Sequence, residues 1–483
     1  MKSRRLIRII AMTLLAVAMP VSLAAQNTRY KLIDLGTFGG PNGFVNGPGV
    51  RDLSNSGIYA GEAETATPDP YAPYCQNGDC FVQHGQKWRN GVVTDLGTLG
   101  VNLSGGATWI SANGRFISGV SDNGVPDPLL GYTTENRAVL WTDNGAIADL
   151  GTLPGGTESF SFSVNNKGMV VGIANNAVPD PFSPPFSFLG WGTQTRAFLW
   201  QDGVMQDLGT LGGPDALPFE VNERGQIMGY SYTDSIPNAT TGLPTIDPFL
   251  WENGTMIDLG TLGGTLGFPS YMNNRGQVAG VSNLAGDANT HPFLWDRGVL
   301  TDIGTFGGSN GETDRISDSG DVVGRADLPG DFIHHAFVWK NGVMTDLGVV
   351  PGDSCTNGRA VNSRGQAIGT STNCMGVTQH IFLWENGSIF DLGALILGGT
   401  DIAFQEALDI NDRGEIAVVG VLPNGDQHAV LLLPASEKEI AEAGVSSVAK
   451  AVPDAHRRVA TTSCDSAFGG RARRQYALRS LQP

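Results

Sequence analysis

Gly263-Gly264-Thr265-Leu266-Gly267-Phe268-Pro269-Ser270-Tyr271-Met272-Asn273-Asn274-Arg275-Gly276-Gln277-Val278-Ala279-Gly280-Val281-Ser282 leads through a short polar loop to Pro292-Phe293-Leu294-Trp295-Asp296-Arg297-Gly298-Val299-Leu300-Thr301-Asp302-Ile303-Gly304. Four short runs rich in Val, Leu, Phe and Trp are separated by two pairs ending in Gly, Arg275-Gly276 and Arg297-Gly298. Such pairs mark tight hairpins, because glycine supplies the positive φ that these turns require. The stretch therefore reads as one four-stranded antiparallel meander.

The pattern returns along the chain. Its closing Asp-Leu-Gly or Asp-Ile-Gly phrase opens at Asp34, Asp95, Asp149, Asp207, Asp258, Asp302, Asp346 and Asp391. A unit of about 44 residues cannot bury its own apolar face, so it must stack on its neighbours. The first turn recurs from Ser56-Gly57 to Arg413-Gly414, and the second from Asn90-Gly91 to Asn386-Gly387. No 3.6-residue periodicity competes with this reading between the N-terminal segment and the tail.

The phasing of the ends points to a ring. Tyr30-Lys31-Leu32-Ile33-Asp34 reads as a fourth strand without its first three, whereas residues from Ile410 to Leu433 supply three strands without a fourth. A chain that splits one unit between its ends closes a circle and removes exposed sheet edges. The expected fold is an all-β propeller of eight four-stranded blades, closed by the N-terminal strand completing the last blade. Residues 1–25 read as a secretory signal, 26–435 as the propeller and 436–483 as a mostly disordered tail. A short helix is expected in that tail near Glu437 to Ala443.

The signal reading rests on Lys2, Arg4, Arg5 and Arg8, an apolar stretch from Leu6 to Val21 and the small-residue site Ser22-Leu23-Ala24. The apolar part is too short for a stable membrane span, and no transmembrane segment is expected elsewhere. The expected location is secreted, extracellular or cell-surface, with the periplasm as the alternative. The formal net charge is −17. A surface so acidic disfavours nucleic acid, which demands phosphate neutralisation.

Cys355 and Cys374 lie symmetrically about the Arg364-Gly365 turn, and Cys75 and Cys80 about Asn77-Gly78. Two disulfides are expected, and Cys464 is left over in the tail. Neither pair has a second Cys or His at ligand spacing, so no metal is read there. The repeated aspartates would stand one per blade rather than clustering, and a local turn hydrogen bond is their expected role. The repeated tryptophans, Trp88 to Trp384, are read as packing between blades. No cofactor is expected.

Runs such as His335-Ala336-Phe337-Val338-Trp339 and Arg196-Ala197-Phe198-Leu199-Trp200, each followed by the Asp-Leu-Gly phrase, resemble bacterial extracellular HAF repeats. The resemblance covers about residues 30 to 433. Cys80-Phe81-Val82 in the first unit departs from it, and in the last unit Leu433 stands where tryptophan is expected. The resemblance implies an exported repeat protein. That family carries no agreed activity, so no catalytic or binding residue follows from it.

The connections between second and third strands emerge on the face opposite the Gly turns, and in units one to four they are long. Three of them share Pro68-Asp69-Pro70-Tyr71, Pro126-Asp127-Pro128-Leu129 and Pro179-Asp180-Pro181-Phe182. With Tyr74, Tyr132, Phe186, Phe188 and Trp191 nearby, these loops are read as a ligand-binding patch of Asp69, Tyr71, Tyr74, Asp127, Tyr132, Asp180, Phe182, Phe186, Phe188 and Trp191. A satellite core of loops folded over one another weighs about evenly against it. No Gly-x-Ser-x-Gly elbow, His-Glu-x-x-His or Walker loop occurs, and no catalytic residue is assigned. The expected function is a monomeric, non-catalytic binding module for an extracellular glycan or protein. A polysaccharide hydrolase or lyase on the same face, or a purely structural surface protein, is the alternative.

Overall fold

The computed structural model describes residues 27–43, 51–73, 75, 79–129, 133–183, 191–239, 242–375 and 379–443. The signal segment, Cys464 and the rest of the tail lie outside them. The described chain is all-β apart from one 3₁₀ turn at Gly393–Leu395 and a helix at Glu437–Glu442. Ser436 caps that helix by accepting from Glu439 N, and the Glu439 side chain accepts in return from Ser436 N at 2.9 Å. None of the described helices is long and apolar enough to cross a membrane.

The strands form successive antiparallel meanders, which we number as units in chain order. Unit two is Gly105–Ile110, Phe116–Pro126, Thr134–Thr142 and Ile147–Asp149, paired in sequence order. Units three to seven repeat this order, and a single parallel bridge, Ile246 to Leu266, joins unit four to unit five. Unit one has three full strands; its first is reduced to the bridge between Leu53 and Tyr59. In unit eight the fourth strand is Tyr30–Asp34, antiparallel to Gln427–Pro434 with Tyr30 opposite Pro434.

The second turns behave as the sequence demands: Asn90 and Gly91 have φ of 50° and 84°, and Arg297 and Gly298 have 48° and 86°. Between them, strand three carries the core. Phe198, Phe249, Phe293, Phe337 and Phe382 are fully buried. Opposite Phe293 stands Gly280, where an added Cβ would collide with the ring. The repeated aspartates make local turns as expected: Asp302 Oδ1 accepts from Gly304 N at 2.8 Å, and Asp34, Asp95 and Asp207 do likewise.

The strand-three tryptophans pack backwards onto the preceding unit. Trp251 of unit four shares a buried cluster with Met169 and Val171 of unit three, and Trp295 of unit five with Met228 and Leu250 of unit four. Trp88 of unit one shares its cluster with Leu408, Ala417 and Leu431 of unit eight. In unit eight the register puts Leu432, not Leu433, at the tryptophan position, since Leu432 faces Ile416 as Trp295 faces Val278. Both disulfides form, with Cα separations of 5.3 Å for Cys75–Cys80 and 5.0 Å for Cys355–Cys374.

Candidate functional site

Strand one of most units carries a β-bulge one residue before a single repeat position. The register shifts between Ala107 and Trp109, Pro218 and Glu220, Pro269 and Tyr271, Thr313 and Arg315, Gly358 and Ala360, and Ala407 and Asp409. A bulge re-aims the residue that follows it. Tyr271, Arg315, Glu220 and Asp409 thereby line one cleft together with Arg51 of unit one. First strands and turns of six units contribute to it, and its cavity is about 70 Å³, enough for a few waters or one small polar group.

Charges at this hub are paired across units. Arg315 Nη1 donates to Asp409 Oδ1, and its guanidinium lies 4.5 Å from the centre of the Tyr271 ring. Arg51 stacks over Trp109 at 5.3 Å and approaches Glu220 at 3.9 Å. Trp109 and Tyr271 stack on each other at 5.9 Å. Such stacking compensates guanidinium groups withdrawn from water. Glu220 Oε2 accepts from Met272 N at 2.9 Å. Burial pushes the Glu220 carboxyl up to about 7 against the pull of Arg51. Asp52 is 1% exposed with neither oxygen hydrogen-bonded, and burial, reinforced by Asp409, lifts its carboxyl well above the usual range. Burial thus favours the neutral form of Asp52 over the charged one.

Around the cleft mouth runs a chain of contacts between first turns. Asn222 Nδ2 donates to Asn273 O at 3.2 Å, Asn273 Nδ2 to Ser317 O at 3.0 Å, and Asn362 Nδ2 to Asn411 O at 3.0 Å. Asn411 Nδ2 continues the series to Ser54 O, at 2.9 Å. One residue further out, Glu223 N donates to Asn274 Oδ1, Asn274 N to Asp318 Oδ1, Ser363 N to Asp412 Oδ1 and Asp412 N to Asn55 Oδ1. Asn55, Asp318 and Ser363 are exposed on this rim.

Of the residues singled out on the long loops, those that the structure describes do not line this cleft. Tyr74, Tyr132, Phe186 and Phe188 lie outside the described residues. Asp69, Asp127 and Asp180 are buried, and each closes a turn by accepting from the amide two residues on: Tyr71 at 2.8 Å, Leu129 at 2.7 Å and Phe182 at 2.9 Å. Trp191 is 4% exposed and stacks on Phe160 at 6.0 Å. Phe182 packs edge-on against Tyr232, whose hydroxyl donates to Phe182 O at 3.1 Å. Phe182 and Tyr71 keep partial exposure. Trp191, Phe160, Tyr230 and Phe268 belong to one buried cluster between units two and five.

The hub residues were missed from the sequence because the reading followed what repeats. Their signal was the opposite one, a position before the apolar end of strand one filled by Trp109, Glu220, Tyr271, Arg315 and Asp409 in turn.

No family model and no curated protein matches this chain. Among solved structures, the chain is similar to the β-propeller domain of the Trilobed protease from Pyrococcus furiosus, with TM-score 0.44 and 9% identity over 76% of this chain and 97% of that one. It is also similar to Porphyromonas gingivalis dipeptidyl peptidase 4, with TM-score 0.46 and 11% identity over 76% of this chain. A puromycin-hydrolyzing peptidase of Mycobacterium tuberculosis aligns at TM-score 0.43 and 13% identity over 80% of this chain. The chain spans 56% and 60% of the lengths of those two peptidases.

Proposed function

We propose that the eight units close into an eight-bladed propeller, sealed by Tyr30–Asp34, and that this ring is an exported, non-catalytic binding module akin to extracellular HAF-repeat proteins. Support for the ring comes from unit eight meeting unit one through the same contacts that join other neighbours: a backward-packed tryptophan, an asparagine clasp and a turn-to-turn hydrogen bond. Two disulfides fit a compartment outside the reducing cytoplasm.

The observation that carries the binding role is the hub cleft. Its floor combines Arg315, Glu220 and Asp409 with Tyr271, while its rim offers the side chains of Asn55, Asp318 and Ser363. Donors and acceptors in this mixture suit the hydroxyls of an extracellular glycan or the polar side chains of a protein segment better than an apolar ligand. The long loops remain the second surface of the same proposal, with Tyr71 and Phe182 as its partly exposed aromatics.

A glycan array and an extracellular-protein binding panel, both probed with the secreted chain, test this reading. Saturable binding that is lost in an Asp318→Ala/Ser363→Ala double variant assigns the hub face. Binding lost only on deletion of residues 180–191 assigns the loop face. No saturable ligand in either format overturns the binding role.

A further inference from the structure

Beneath the long loops of units two and three, the same arrangement of oxygen atoms occurs twice. In unit two, Pro126 faces Thr134, and Asp127 N donates to Thr133 O at 2.9 Å. Glu158, arriving from unit three, accepts Asn136 N through Oε2 at 2.8 Å. In unit three, Pro179 faces Thr193, and Asp180 N donates to Gly192 O at 3.0 Å. Asp215, arriving from unit four, accepts Thr195 N through Oδ1 at 2.6 Å.

Each carboxyl has thus spent one oxygen on a backbone amide and kept the other. Asp127 Oδ2 and Glu158 Oε1 have no hydrogen-bond partner, and neither have Asp180 Oδ2 and Asp215 Oδ2. Neutral oxygens share this condition: Asn136 Oδ1 in the first cluster, Ser183 Oγ and Thr195 Oγ1 in the second. All seven residues are buried. The Asp180 and Asp215 carboxyls stand within hydrogen-bonding reach of each other, a contact that needs either a proton on one of them or a cation between them.

Unit one supplies an internal control. There Ser104 occupies the place of Glu158 and Asp215, accepting from Gln83 N at 3.3 Å and donating its hydroxyl to Asp69 Oδ2 at 3.1 Å. With a hydroxyl in place of the second acid at this position, both Asp69 oxygens and the Ser104 hydroxyl have partners.

An unpaired buried carboxylate costs several kcal/mol, and a like-charged neighbour adds to the cost. We propose that these clusters are two calcium-type sites: Asp127, Asn136 and Glu158 hold one divalent cation, and Asp180, Ser183, Thr195 and Asp215 hold the other. Oxygen-only donors in a backbone-fixed frame match a hard cation that accepts six to eight oxygens. No described group gathers three or more His, Cys, Asp or Glu; each site has two carboxylates, a charge count that suits affinities of about 10⁻⁴–10⁻³ M, as in extracellular modules. Each cation would tie a Pro-Asp-Pro loop to the next unit, so the phrase in these two loops encodes an inter-unit clamp.

The test is calorimetric titration of the full secreted chain with calcium chloride at neutral pH, after chelator treatment. Two equivalents are expected. Glu158→Gln and Asp215→Asn should each remove one equivalent, or weaken it roughly 10–100-fold. Ser104→Asp should add a third, a gain that misfolding cannot mimic. Absence of saturable calcium binding in the wild-type chain, with Glu158→Gln and Asp215→Asn thermally more stable, overturns the proposal in favour of carboxyls that share a proton. Calcium binding that keeps its stoichiometry and affinity in all three variants also overturns it.

Discussion

Asn411 donates its side-chain amide to the backbone oxygen of Ser54 at 2.9 Å, across a sequence separation of 357 residues. The same contact joins Asn362 to Asn411 and Asn273 to Ser317 over short separations. If the ring closes, the distant clasp is thermodynamically ordinary. Asn411→Ala should then cost about 1–3 kcal/mol, like Asn362→Ala, because each loses the clasp and also strips two amides of its own turn, at 413 and 415 or at 364 and 366, of their shared side-chain acceptor. Denaturant unfolding of the two variants side by side checks this. A clearly smaller cost for Asn411→Ala than for Asn362→Ala would argue for an open arc, in which only the turn amides are lost.

Trp88 offers a second, independent reading of the same seam. It is 6% exposed and packs with Leu408 and Leu431. Trp88→Ala should destabilise by about 3–5 kcal/mol, as should Trp251→Ala within the series. Thermal unfolding of both variants is the measurement.

The Cys355–Cys374 bridge closes a loop of 19 residues. A Cys355→Ala/Cys374→Ala variant should lose about 3 kcal/mol, chiefly through a freer unfolded chain. Guanidinium titration with and without reductant should give the same loss in a Cys75→Ala/Cys80→Ala chain, where Cys355–Cys374 is the described bridge left to reduce.

Two buried carboxyls predict a fold that is more stable in mild acid than in base. Burial raises Glu220 to about 7 and Glu64 to about 8, above the ordinary carboxylate range that these groups regain on unfolding. The native state therefore binds more protons than the unfolded state between about pH 4.5 and pH 8, and stability falls as pH rises through that window. Melting temperatures taken with chelator should be higher at pH 5 than at pH 9. Glu220→Gln, which keeps the shape and removes the titration, should flatten part of the slope.

Arg315 and Asp409 are both buried at the hub. Arg315→Met strands the Asp409 carboxylate and should cost about 3–5 kcal/mol. Arg315→Met combined with Asp409→Leu should recover much of that loss, as equilibrium unfolding will show.

Architecture was legible in the sequence wherever a residue type recurs for a stereochemical reason. Asn90-Gly91 and its equivalents require positive φ, the Asp-Leu-Gly phrase makes an amide-accepting turn, and the cysteines lie symmetrically about their turns. Phase was lost where the chain is uniform: Leu431-Leu432-Leu433 offers three interchangeable residues, and only the register selects Leu432. The loop aspartates were visible as a phrase, but their burial depends on Ser104, Glu158 and Asp215 from the following unit. No spacing within one repeat encodes that meeting. The hub was hidden for a related reason: Arg315 and Asp409 lie 94 residues apart, and each interrupts the repeat rather than expressing it.

Tyr30 lies opposite Pro434, so the chain enters and leaves the last sheet side by side. Tension applied between those two points would load the backbone pairs one after another, from Tyr30 towards Asp34, instead of shearing them together. The last sheet thus carries a zipper whose pull-tab is the pair of chain segments that flank Tyr30 and Pro434. Tethered at both, it would open there under modest force while the other sheets stayed folded; anchored at one, it would feel no such strain.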